Sequence, residues 1–145
     1  MNQSEKTVRL FEKGYNCSQA VLAAWAEQFQ LPQETALKLA GGLGGGIGRS
    51  GEICGALTGA ILVLGLRYGT ADPHDKNTKY DLYRRTQDLM HRFKENAGSL
   101  YCRQLLGFDM DAPEGLAASQ KPGAFDNCPQ FVRIAAELLD KMLES

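Results

Sequence analysis

Apolar residues recur at the three- and four-residue spacing of a buried helix face along almost the whole chain. The strict two-residue alternation of a half-covered strand is absent. The pattern predicts an all-α fold, a compact multi-helix bundle with a glycine-rich loop before its central helix. Ser4, Thr7, Val8, Phe11 and Tyr15 open a first helix that weakens at Gly14. Asn16 or Cys17 starts a second, with Val21, Ala24, Trp25 and Phe29 on one face. Pro32, with Glu34 in the first turn, begins a short third helix that runs to about Leu39. The stretch from Glu52 to Tyr68 is the most apolar, yet it is too short and too rich in glycine to span a bilayer, and Arg67 closes it.

Further along, residues 75–96 read as a long amphipathic helix. Its inward face holds Leu82, Thr86, Leu89, Met90 and Phe93, and Ala97-Gly98 ends it. Cys102 to Leu106 makes one or two helical turns stopped by Gly107. Residues 109–123 carry the helix breakers Pro113, Gly115, Pro122 and Gly123 and read as a surface excursion, with a helical turn from Pro113. Asp126-Asn127-Cys128-Pro129 is a strong N-terminal signal, a capping residue followed by proline in the first turn. The last helix buries Phe131, Ala135, Leu138, Leu139 and Met142.

Length and composition narrow the classes. A chain of 145 residues with 43% hydrophobic content makes one core, so residues 1–145 are expected to form a single domain. A net charge of −1 and 23% charged residues supply no basic stripe, which argues against a nucleic-acid partner. The opening residues Met1-Asn2-Gln3-Ser4-Glu5-Lys6 are polar and no apolar signal core follows, so a cytoplasmic, not membrane-spanning protein is expected.

The chemistry lies in four widely spaced cysteines, Cys17, Cys54, Cys102 and Cys128, each where a helix is predicted to begin. Helix starts present unpaired N–H groups and a partial positive charge, which favour thiolate over thiol. In a reducing compartment such thiols are ligands or redox groups more often than structural bridges. Two chemistries fit. All four sulfurs converge on an iron–sulfur cluster or other metal for electron transfer, or two pairs act as metal-free dithiol/disulfide couples. No CxxC spacing selects between them. Buried cysteines can also be inert small hydrophobes, which suits any one of them better than all four.

Eleven of the sixteen glycines fall between Gly41 and Gly69. Gly46-Ile47-Gly48-Arg49-Ser50-Gly51 satisfies the dinucleotide pattern GxGxxG, but the preceding segment is helix-forming where that site needs a strand. The better reading wraps this loop round the helix start at Cys54, with the N–H groups of Gly46, Gly48, Gly51 and Gly55 directed at sulfur or at a cofactor there. Gly55 and Gly59, with Ala56 and Ala60, give the following helix a smooth face for a close neighbour.

These segments resemble a family of small bacterial and archaeal redox-active proteins labelled C_GCAxxG_C_C. The resemblance is carried by Gly14-Tyr15-Asn16-Cys17-Ser18-Gln19-Ala20-Val21, Cys54-Gly55-Ala56-Leu57-Thr58-Gly59, Cys102-Arg103-Gln104-Leu105-Leu106-Gly107, and Cys128 ahead of the last helix. It covers nearly the whole chain. The label writes glycine before its second cysteine, whereas Ile53 precedes Cys54 here. The resemblance implies a redox role exercised with a redox partner protein, in a transporter-associated setting.

Other polar residues point to less. His74 and His91 read as a capping-turn residue and a helix-face residue, and Glu34, Glu52 and Asp126 as first-turn partners of the helix dipole. Arg49 and Ser50 either contact an anionic ligand or are simply exposed, and Tyr15 and Asn16 flank Cys17 and could line its site. Hydrolytic chemistry has no constellation to support it. A different class is a zinc-stabilised interaction module, with the Gly-Ala helix and the long amphipathic helix serving a homo-oligomer interface. Zinc would leave the protein colourless, an iron–sulfur centre would be brown and bleach with dithionite, and a dithiol protein would be metal-free.

Overall fold

A helix that is apolar all round has to be buried all round, and in the computed structural model Cys17–Ala26 meets that condition. Ala20 through Ala26 have at most 2% of their surface exposed. The expectation of a single inward face for this segment is thus corrected: neighbours cover every side. Residues 1–143 are described. Among them are eight α-helices: α1 (Gln3–Glu12), α2 (Cys17–Ala26), α3 (Gln33–Ala40), α4 (Gly55–Tyr68), α5 (Lys76–Ala97), α6 (Cys102–Leu106), α7 (Pro113–Ser119) and α8 (Cys128–Leu143). Glu27–Phe29 and Gly41–Leu43 are single 3-10 turns. The predicted all-α bundle is what forms, and the described residues contain no strand beyond one isolated bridge between Ile53 and Tyr101.

The layers follow from which helices have no polar side. α2 packs on α1, α3, α4 and α8, and α4 packs in turn on α5 and α8. α4, expected as the central helix, therefore shares the centre with α2. Their approach is close because the facing residues are small. A Cβ on Gly59 would stand 2.8 Å from the Ser18 carbonyl oxygen, and one on Gly55 would stand 3.2 Å from the Ser18 nitrogen. Gly65, six residues after Gly59 and on another face, meets nothing within 4 Å, and Leu62 and Leu66 near it are exposed together with Leu39. α5 buries only Leu89 and Phe93, while Leu82, Thr86 and Met90 are half-buried. No helix among the described residues is long and apolar enough to cross a membrane.

Local signals set most boundaries. Asn16 caps α2 in a capping box, its Oδ1 accepting from the Gln19 N–H while Gln19 Oε1 accepts from the Asn16 N–H, both at 2.9 Å. Asp75 caps α5, and Gly98 and Gly107 end α5 and α6 in the left-handed conformation. Two expectations need correction. α1 is capped by Asn2, which accepts from the Glu5 N–H at 2.8 Å; Ser4 lies inside the helix and is buried. Residues 113–119 form a full short helix where a single turn was expected, because Gly115 sits directly against the Asp109 backbone and anchors it.

Candidate functional site

Each cysteine stands at a helix start: Cys17, Cys102 and Cys128 are the first residues of α2, α6 and α8, and Cys54 is the N-cap of α4. Three separate devices bring these starts together. Gly55 lies so close to α2 that a Cβ there would be 3.3 Å from the Cys17 Cβ. The segments before α4 and α6 run side by side. The Cys54 N–H donates to the Leu100 carbonyl at 2.8 Å and the Cys102 N–H to the Glu52 carbonyl at 2.7 Å. α8 packs against α1, α2 and α4, which carries Cys128 to the same end. All four cysteines border one cavity of about 260 Å³.

The rest of the lining is mostly apolar. Phe11, Tyr15, Leu105, Leu106, Phe125 and Phe131 surround the sulfurs, and Asn16, Gly45, Gly55 and Arg49 complete one side. Tyr15 and Asn16 thus border the site as expected. Phe125 had no sequence signal, lying in the breaker-rich stretch before Cys128. Phe131 and Leu105 follow a cysteine by three residues, the helical spacing that puts them on the sulfur's own face.

The glycine loop does less for sulfur than its composition suggested. It follows a helix and a 3-10 turn, not a strand, so the dinucleotide context is missing. Residues 45–49 all take positive φ, from 60° to 71°. The Gly48 N–H donates to the Gly42 carbonyl, that of Gly51 to Gly45, and that of Glu52 to Gly46. Those donors are spent inside the loop. Gly55 borders the cavity, Gly46 is wedged against the Cys102 Cβ and the Glu52 backbone, Gly51 abuts Arg103, and Gly48 faces open space. The N–H groups that do reach a sulfur are those of Ala56 and Leu57, directed at Cys54.

Burial decides the protonation of most of these thiols. Cys54, Cys102 and Cys128 are at most 8% exposed and Cys17 is half-buried. Desolvation pushes Cys54 up to about 11 in spite of the two N–H bonds. It pushes Cys102 up to about 12, reinforced by the charges of Cys54 and Cys128. The expectation that helix starts would lower every thiol is corrected for Cys54, Cys102 and Cys17, and holds in direction at Cys128 alone among the four. α6 has only five residues and supplies little dipole, and at Cys54 the loss of water outweighs the N–H groups. Cys17 and Cys128 behave as a pair. The interaction between the two thiols holds Cys128 below its usual value against burial and raises Cys17 well above its own.

The remaining candidates fall outside. His74 and His91 are exposed, the His74 N–H donating to Asp72 in the expected capping turn. Glu52 is not a first-turn partner of a dipole but an ion-pair partner of Arg103 at 3.0 Å. Ser50 Oγ donates to the Gly46 carbonyl at 2.8 Å, closing the loop instead of facing a ligand.

A metal or iron–sulfur centre requires three or four of these sulfurs within one coordination sphere. Among the described residues no three His, Cys, Asp or Glu side chains are gathered so as to hold a metal ion. The ligand number suits such a centre, but the spacing does not.

A family model described as Putative redox-active protein (C_GCAxxG_C_C) matches residues 15–142. No curated protein and no solved structure gives a match.

Proposed function

Since the chain belongs to the C_GCAxxG_C_C family of redox-active proteins, we propose that it works by thiol–disulfide exchange, with Cys17 and Cys128 as its redox couple. The observation that carries this reading is that Cys17 and Cys128, the first residues of α2 and α8, border the same cavity as an interacting pair, in which Cys17 is raised and Cys128 lowered. A thiolate is the attacking species in exchange, and a second thiol within reach resolves the mixed disulfide it forms. Cys54 and Cys102, held side by side through their backbones and kept protonated by burial, form a slower second pair. In this reading the protein trades an electron pair with a redox partner protein in the cytoplasm.

The iron–sulfur or other metal centre is the second reading, favoured by four cysteines on one cavity. As they stand, the side chains do not fit it. Anaerobic expression followed by assay of iron, zinc and acid-labile sulfide per chain separates the two. The dithiol reading expects substoichiometric metal, four titratable thiols after reduction and two fewer after mild oxidation. Stoichiometric iron with sulfide and a visible charge-transfer band would overturn it.

A further inference from the structure

The thiol chemistry leaves one cavity-lining group unused, the guanidinium of Arg49. It is the single charged side chain on a lining whose described members otherwise comprise aromatic and aliphatic residues, glycines, Asn16 and the sulfurs. Arg49 has no ion-pair partner among the described residues. Its recorded side-chain contact is with the Phe125 ring, whose centre lies 5.8 Å from the guanidinium carbon. Arg103, on the neighbouring helix start, is by contrast neutralised by Glu52. Arg49 is exposed on the border of a mostly apolar cavity, and its charge has no ion-pair counterpart among the described residues.

The backbone holds Arg49 there at a conformational cost. Its φ is 62°, in the left-handed region that residues with a side chain rarely occupy. The loop enforces that value: the Arg49 N–H donates to the Gly44 carbonyl, and a Cβ on Gly45 would stand 2.5 Å from the Arg49 Cγ. A cation held on a cavity border by a residue in the left-handed region is placed to receive an anion.

We propose that the cavity binds a small disulfide carrying a carboxylate on an apolar or aromatic body, with the carboxylate on Arg49, the body against Phe125 and its neighbours, and the sulfur toward Cys17 and Cys128. The proposal rests on the dithiol reading above. The volume of about 260 Å³ suits one half of such a molecule and is too small for a dinucleotide. The Cys128 thiolate attacks the nearer sulfur. The ligand's S–S bond breaks, a bond to Cys128 forms, and the far half leaves as a thiolate. Cys17 then attacks the Cys128 sulfur, closing the protein disulfide and expelling the second half. The Cys17 proton leaves with one of the two released thiolates. The protein dithiol is oxidised by one electron pair and the small disulfide is reduced to two thiols.

The test compares exchange rates with dithiobis(nitrobenzoate), an aromatic disulfide bearing carboxylates, and with neutral dithiodipyridine, in the native chain, Arg49→Gln and Arg49→Lys. Loss of one charge-assisted hydrogen bond should slow the carboxylate reagent in Arg49→Gln by about ten- to a hundredfold. Dithiodipyridine should be unaffected and Arg49→Lys should recover part of the loss. Equal slowing of both reagents, or of neither, would overturn the proposal. Unreactive naphthoate, followed by NMR at the Arg49 and Phe125 amides, separates it from the dithiol reading. Binding that is lost in Arg49→Gln supports the carboxylate site even if no exchange occurs. Absence of binding in the native chain overturns it.

Discussion

Replacing Gly59 and Gly65 by alanine, one at a time, should move stability in opposite directions although both lie in α4. Alanine gains about 1 kcal/mol over glycine in a helix interior from propensity alone, and at Gly65, where a Cβ meets nothing within 4 Å, that gain stands unopposed. At Gly59 the added carbon would lie 2.8 Å from the Ser18 carbonyl oxygen, 3.1 Å from the Ser18 Cα and 3.1 Å from the Val21 Cβ. Two of these are backbone atoms of the central helix and cannot rotate aside, so α2 and α4 must part. Overpacking of this kind costs about 1–3 kcal/mol, occasionally more, leaving a net loss of up to about 2 kcal/mol after the propensity gain. Urea unfolding followed by circular dichroism measures both. For a chain of this size each kcal/mol is worth about 2–4 °C in Tm. Because Cys54 caps α4 and Cys17 begins α2, Gly59→Ala should also slow thiol exchange, whereas Gly65→Ala should not. Equal stability of the two variants, or a loss at Gly65 matching that at Gly59, would refute the close packing of α2 on α4 as the determinant of the site.

Three further outcomes follow from the buried groups. Cys54 is 4% exposed and pushed up to about 11, so its neutral form is favoured by folding. Its contribution is fully present below the unfolded thiol value and is lost as pH rises through about 11, a fall of roughly 3 kcal/mol across that window that urea titrations at stepped pH should show and Cys54→Ala should abolish. At neutral pH iodoacetamide should label Cys128 well before Cys54 or Cys102. Cys17→Ala, by removing the thiol that lowers Cys128, should slow labelling at Cys128 several-fold at the same pH. Ser18 is wholly buried with no partner for its Oγ among the described residues, so Ser18→Ala should raise unfolding stability by about 1 kcal/mol.

The helices were legible because their signals are local. Asn16 with Gln19, Asp75, and the paired stops Gly98 and Gly107 each act within one turn, and they set where α2 and α5 begin and where α5 and α6 end. The opening of α1 at its cap Asn2, two residues ahead of Ser4, is a small slip within that same kind of signal. What the sequence could not carry was the meeting of the four starts. The pairing of Glu52 and Cys54 with Leu100 and Cys102 joins segments almost fifty residues apart through backbone atoms, which leave no mark on side-chain pattern. The thiol protonation was hidden for a related reason. A helix start is a local property that lowers a thiol, whereas burial, which raises Cys54 and Cys102, is set by neighbours from the whole chain. The glycine loop misled in the same way: its N–H groups were visible, but that they close on the loop's own carbonyls depends on the run of positive φ from Gly45 to Arg49.

The central claim is that Cys17 and Cys128 form the redox couple. Its most direct test is to equilibrate the reduced protein in thiol/disulfide buffers of rising potential, trap the free thiols by acid-quenched alkylation, and map the linked peptides by mass spectrometry. A single two-electron transition that joins the peptides of Cys17 and Cys128, with Cys54 and Cys102 still alkylated, is the expected result. First linkage of Cys54 to Cys102, or four alkylated cysteines at every potential, would contradict it.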